Sequence, residues 1–78
     1  MYIAVIEKDN RIPDNLTNPR YIGAPCHSFD EARELVCAHL EHNNEIYVAD
    51  LVENGVTYYE LDHYTGEILK EFYVKMVS

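Results

Sequence analysis

The side chains best suited to metal or nucleophile chemistry lie in and around one predicted helix. Cys26 and His27 precede this helix, and Cys37, His39 and His42 lie on it. Zinc ligands on a single helix need a shared face, which a spacing of three or four residues provides. His39 and His42 meet that spacing, but Cys37 points to another side of the helix. A small metal- or ligand-binding domain using Cys26, His39 and His42 is therefore an alternative, and no cofactor is expected.

A cysteine nucleophile is disfavoured by the charge around it. Cys37 is flanked by Asp30, Glu34 and Glu41, whose negative field suppresses the reactive thiolate. Cys26-His27 has no evident third group to complete a catalytic set. The sequence also contains no glycine-rich phosphate loop and no Ser-His-Asp arrangement. We therefore predict that the chain is not an enzyme.

Carboxylates dominate the charge of the chain. Fourteen acids and six basic residues among 78 give a net charge of −8. Residues 30–62 hold nine of the acids and only one base, Arg33, so the whole excess lies in this central stretch. Binding to a phosphate backbone depends on Lys and Arg, so direct nucleic-acid binding is not expected. Arg11 and Arg20, on a long loop, could anchor to an acidic or phosphate group, although ordinary loop solvation explains them equally well.

Local signals place these residues on one helix. Ser28-Phe29-Asp30-Glu31 has the pattern of a capping box and predicts a helix from Phe29 to Glu41 or His42. Phe29, Ala32, Val36 and Leu40 form its apolar stripe. Asp30, Glu34 and Glu41 lie on the opposite side.

The remaining elements are strands. They are predicted at 2–7, 20–23, 45–53, 56–62 and 67–77, with hairpin turns at Asn54-Gly55 and at 63–66. A chain of this length forms one domain, residues 1–78. The fold class is α+β, with a single helix packed on one face of a mostly antiparallel sheet of four or five strands, in the order β(β)αβββ.

The hairpin turns predict which side chains share a face of the sheet. With Asn54-Gly55 as the loop, the face toward the helix holds Ile46, Val48, Val52, Tyr59, Leu61, Ile68, Phe72 and Val74. The opposite face is predicted to be open, because no second helix exists to cover it. It holds Tyr47, Ala49, Leu51, Glu53, Val56, Tyr58, Glu60, Asp62, Glu67, Leu69, Glu71 and Tyr73.

Tyrosines beside carboxylates are typical of a surface where a protein partner docks, since tyrosine offers rigid contact area with a polar tip. The residues predicted to bind such a partner are Asp30, Glu34, Glu41, Tyr47, Glu53, Tyr58, Glu60, Asp62 and Tyr73. The partner would present a basic protein surface. Two simpler interpretations stay open: a solvated acidic helix face with ordinary strand tyrosines, and a homo-oligomer that packs its open face on a second copy.

The stretch from His27 to Leu35, followed by the Asn54-Gly55 and Thr65-Gly66-Glu67 hairpins, resembles the architecture of small acidic proteins that phages make to inhibit host machinery, anti-CRISPR proteins among them. The resemblance implies a cytoplasmic, non-enzymatic inhibitor or adaptor that occupies a basic, often nucleic-acid-binding, surface. Composition agrees with that location. Met1 to Ile6 has no basic leader, and no apolar run approaches the roughly 20 residues that span a bilayer.

Overall fold

Five strands form one antiparallel sheet in the order β2-β1-β5-β4-β3, with one helix on one of its faces. The computed structural model describes residues 1–77. Its elements are β1 (Tyr2–Asp9), β2 (Arg20–Tyr21), α1 (Phe29–Ala38), β3 (Glu45–Val52), β4 (Gly55–Leu61) and β5 (Ile68–Val77). The predicted α+β class and the order β(β)αβββ are both confirmed.

The capping box starts α1 where the sequence predicts. The amide of Glu31 donates to Ser28 Oγ at 3.1 Å, and the Glu31 carboxylate accepts from the amide of His27 at 2.7 Å. The helix ends at Ala38, earlier than predicted, with His39 as the C-cap (φ −100°, ψ 5°), and the chain enters the left-handed region at His42 and Asn43 (φ 51° and 61°) in the turn that follows. None of the described residues form a helix that is long and apolar enough to cross a membrane.

The core lies between α1 and the β1–β5 side of the sheet. Ala32 and Val36 of α1 are completely buried, as are Phe72 and Val74 of β5. The helix packs mainly over β1 and β5, whereas β3 lies at the far edge of the sheet. This off-centre position leaves one side of the helix-bearing face uncovered.

Two β-bulges set the side-chain orientation of the hairpins. The first turn is Glu53-Asn54, so Val52 pairs with Gly55. An extra residue, Ala49, then shifts the β3 register, since Val48 pairs with Tyr58 while Asp50 pairs with Thr57. A second extra residue, Leu69, does the same in β5. Each bulge reverses which residues of the two strands share a face.

The predicted faces of β4 are therefore wrong. Beyond the bulge at Leu69, Tyr58 pairs with Phe72 and Glu60 with Lys70, so both lie on the helix side. Ile46, Val48, Phe72 and Val74 lie on the helix side as predicted, but Val48 is 50% exposed and not buried by the helix. The residues that lie on the side opposite to the prediction, or are exposed where burial was expected, are Leu51, Val52, Val56, Tyr58, Tyr59, Glu60, Leu61 and Ile68.

The loop at residues 10–19 is fixed to β1 by one buried side chain. Asn18 accepts from the amide of Asp9 at 2.9 Å and donates to the carbonyls of Asp9 and Ile12 at 2.7 and 2.9 Å. The Asn18-Pro19 peptide bond is cis. This attachment brings Arg11 close to the C-terminal end of α1.

Candidate partner-binding surface

A cluster of charged side chains lies between the sheet and the C-terminal end of α1. Lys70 Nζ lies 3.6 Å from Glu7 Oε2 and 3.7 Å from Glu41 Oε1. Lys70 also pairs across the sheet with Asp9 of β1 and Glu60 of β4. An unpaired buried charge costs several kcal/mol, about as much as a small domain can spare. The opposite charges of these groups compensate one another and so avoid that cost. Their role is structural.

Arg11 of the 10–19 loop and Arg20 of β2 also join this cluster. Arg11 Nη2 lies 2.8 Å from Asp9 Oδ2 and 2.9 Å from Glu41 Oε2. The hydrogen bonds from Arg11 hold the pKa of Asp9 below its usual value. Arg20 Nη2 lies 3.2 Å from Glu7 Oε1. The arginines that could have anchored an external acid are therefore engaged by carboxylates of this chain.

Glu60, predicted to bind a partner, is instead completely buried. Its Oε2 accepts from the amide of Glu41 at 3.1 Å and from Asn44 Nδ2 at 2.9 Å, and thereby fixes the turn that follows α1. Its Oε1 has no hydrogen-bond partner among the described residues. Tyr58 is only 9% exposed. The partner-binding prediction for Tyr58 and Glu60 is wrong, because the bulge at Leu69 turns them toward the helix.

The internal pairing concentrates the remaining charge. Five of the fourteen acids, Glu7, Asp9, Glu41, Glu60 and Glu71, are buried or ion-paired within residues 1–77, and four of the six bases, Lys8, Arg11, Arg20 and Lys70, pair with them. Only Arg33 and Lys75 remain to balance nine other carboxylates. These nine are Asp14, Asp30, Glu31, Glu34, Glu45, Asp50, Glu53, Asp62 and Glu67. The surface excess is therefore seven negative charges.

Three of the predicted acidic residues are exposed. Asp30 and Glu34 lie on the solvent side of α1, and Glu53 lies in the β3–β4 turn. Phe29 and Asn54 line the same groove, so the start of α1 is close to this turn. The structure thus brings Asp30 and Glu53 to the same end of the molecule.

The other two predicted acids are less available. Glu41 is half-buried and shared between Arg11 and Lys70. Asp62 accepts from the amides of Tyr64 and Thr65, each at 2.8 Å, and these hydrogen bonds lower its pKa. Through these hydrogen bonds Asp62 organises the β4–β5 turn. Because they lower its pKa, the carboxylate stays ionised at neutral pH.

The sheet face opposite α1 carries tyrosine side chains, as predicted. Tyr47 of β3 is 59% exposed and pairs with Tyr59 of β4. Tyr73 of β5 lies on the same face, half-buried, and donates to Glu71 Oε1 at 3.4 Å. Burial, with the neighbouring Glu71, raises the pKa of Tyr73. The predicted positions of Tyr47 and Tyr73 on the open face are confirmed, with Tyr59 in place of Tyr58.

The helix side carries a second accessible surface that the sequence pattern did not reveal. An apolar groove of about 480 Å³ runs between the start of α1 and β3. Its exposed side chains include Phe29, Val48, Leu51 and Met76. The sequence predicts that the single helix covers this face of the sheet. Only the off-centre position of α1, which the sequence does not encode locally, leaves the groove open.

The histidines and cysteines do not converge. Both cysteines are free, and burial raises the pKa of the Cys26 thiol. His39 Nδ1 is hydrogen-bonded to the carbonyl of Leu35 at 2.9 Å. Within residues 1–77 there is no group of three or more His, Cys, Asp or Glu placed to hold a metal ion.

Comparisons with protein-family models, curated proteins and solved structures found no match to this chain. The functional argument therefore depends on the two accessible surfaces and their charge.

Proposed function

We propose that this chain is a non-enzymatic protein-binding module, an inhibitor or adaptor, whose acidic surface occupies a basic site on a protein partner. The main supporting observation is the charge that remains after internal pairing. Nine carboxylates face solvent or lie in turns, against Arg33 and Lys75 alone. Such a surface excludes phosphate backbones and attracts basic proteins over distances comparable to the Debye length.

The free carboxylates are also placed beside apolar contact area. Asp30 and Glu53 are the chain neighbours of Phe29 and Asn54, which line the apolar groove. Glu45 lies next to Tyr47 at the other end of β3. Protein interfaces combine an apolar centre with a polar rim, and charge complementarity increases association rate and specificity. Solvation alone does not require acids to border exposed aliphatic and tyrosine side chains.

The partner surface would be one that is rich in Lys and Arg, including surfaces that otherwise hold nucleic acid. This is also what the resemblance to phage-encoded inhibitors of host machinery implies. In that setting the chain would act in the cytoplasm and would compete with DNA or RNA for the same basic site.

The experiment uses the chain as bait in a bacterial lysate, with elution by rising NaCl, and then measures binding of the recovered protein. A Glu34→Lys/Glu53→Lys variant should weaken binding about tenfold or more, because two attractive contacts become repulsive. Asp14→Lys/Glu67→Lys changes the net charge equally but alters the 10–19 loop and the β4–β5 turn. It should weaken binding less than threefold.

Two further readouts decide the proposal. The affinity should fall steeply with salt, and the chain should displace nucleic acid from a partner that binds it. Equal effects of the two double variants, or an affinity independent of salt, would contradict an acidic docking surface.

A further inference from the structure

One layer of the fold is incomplete on the helix side. Strands in a sheet lie about 4.8 Å apart and a helix is about 10 Å wide, so one face of five strands accommodates two helices. The chain supplies only α1, which packs over β1 and β5. The β4–β3 half of the same face has no helix of its own within the described residues.

The uncovered half is apolar and accessible. Leu51 is 78% exposed and Val48 is 50% exposed, and both point to the helix side, where they pair with Val56 and Tyr58 of β4. Phe29 of α1 is 39% exposed and forms the opposite wall. Phe29 on one side and Val48 and Leu51 on the other enclose a groove that is open to solvent.

Two exposed acids adjoin the groove along the chain. Asp30 directly follows Phe29 and Glu53 directly precedes Asn54, and both Phe29 and Asn54 line the groove. Arg33 lies farther along α1 and lines a neighbouring pocket. A ligand that matches this groove has an apolar centre and basic edges. A second copy of the chain fits poorly, because it carries the same net charge of −8.

We propose that this groove binds an amphipathic helix of the basic partner, which takes the place of the missing second helix. Its apolar side lies on Val48, Leu51 and Phe29, and its Lys and Arg side chains lie near Asp30 and Glu53. A helix fits better than an added strand, since the bulge at Ala49 interrupts the outer edge of β3. This inference rests on the proposed function and specifies its site and partner element.

A synthetic peptide provides the probe. It has about 18 residues, enough for a stable docked helix, with Leu and one Trp on one face and Lys on the other. The chain contains no Trp, so fluorescence reports only on the peptide. Saturable binding with a blue-shifted Trp emission is expected. A peptide of scrambled order, without an apolar face, and one with Glu in place of Lys should each bind at least tenfold more weakly.

Variants locate the peptide on the chain. Leu51→Ser and Val48→Ser remove apolar contact without changing charge, at positions exposed enough to leave folding intact. Together they should weaken peptide binding at least tenfold. Leu16→Ser, at a 60% exposed leucine of the 10–19 loop, is the matched control and should have no effect. Unchanged binding by the groove variant, or equal binding of the scrambled peptide, overturns the proposal.

Two further outcomes separate this inference from the proposed function. If the Glu34→Lys/Glu53→Lys variant no longer binds the recovered partner but the Leu51→Ser/Val48→Ser variant still does, the proposed acidic binding surface stands and the groove inference fails. If light scattering shows a dimer at micromolar concentration that Leu51→Ser converts to a monomer, the groove holds a second copy, which also overturns the proposal.

Discussion

For Glu60, the residue type alone predicts the wrong role, because the pairing register of β4 decides which face its side chain occupies. On the open face Glu60 would contact a basic partner. In the structure it is completely buried and holds the amide of Glu41 and the side chain of Asn44. Its function is to close the turn between α1 and β3. A charge-reversal there would report on folding and not on recognition.

Substitution of Glu60 separates these roles. Glu60→Ala should lower the free energy of unfolding by about 3 kcal/mol, since it leaves two donors unsatisfied and a cavity. Glu60→Gln keeps an oxygen for both donors and should cost less than about 1 kcal/mol. Urea denaturation followed by circular dichroism gives both values. If Ala and Gln cost the same, the hydrogen bonds of Glu60 do not stabilise the fold.

At the scale of elements, Gly55 serves a purpose different from the expected one. An Asn-Gly turn of type I′ needs positive φ at both residues, but only Asn54 has it here (φ 61°), and Gly55 begins β4. A Cβ at Gly55 would lie 2.5 Å from the carbonyl oxygen of Val74. Gly55 is therefore required by the close approach of β4 to β5.

Two alanine substitutions test this assignment. Gly55→Ala should destabilise the chain by about 2–3 kcal/mol, because a backbone atom must move. Gly66→Ala should cost only about 1 kcal/mol, since Gly66 has positive φ (74°) but open space around it. Thermal unfolding of the two variants gives the ranking. A smaller loss for Gly55→Ala than for Gly66→Ala would refute the close-approach explanation.

Elements were predictable where the signal is local. The Ser28–Glu31 cap predicted α1, and the two hairpin turns predicted β3, β4 and β5. All six predicted elements are present, with bounds that are mostly within one or two residues. Face assignment failed where the signal is not local. Ala49 and Leu69 are ordinary strand residues, and nothing in their neighbours marks a bulge. Of the candidate site, Asp30, Glu34, Glu53, Tyr47 and Tyr73 are on accessible surfaces, and Tyr58 and Glu60 are not.

At the scale of the whole molecule, the ion-paired cluster and the free carboxylates form two separate populations of charge. Lys70, Arg11 and Arg20 bind carboxylates between β1, β5 and the end of α1. The remaining acids repel one another across the surface. Repulsion between exposed charges is screened by salt, whereas partly buried pairs are screened much less. Salt should therefore act mainly on the unpaired population.

This separation predicts that salt stabilises the isolated chain. The Tm should rise between 10 and 200 mM NaCl (about 30 to 7 Å in Debye length). Glu34→Lys should stabilise at low salt by about 0.5 kcal/mol, because the repulsive i,i+4 pair with Asp30 becomes attractive. Glu34→Gln should give about half that gain, and the advantage of both should shrink at high salt. A Tm that falls with salt would mean that the internal pairs dominate. Greater stability of Glu34→Lys together with weaker partner binding would show that this carboxylate serves recognition at the expense of the fold.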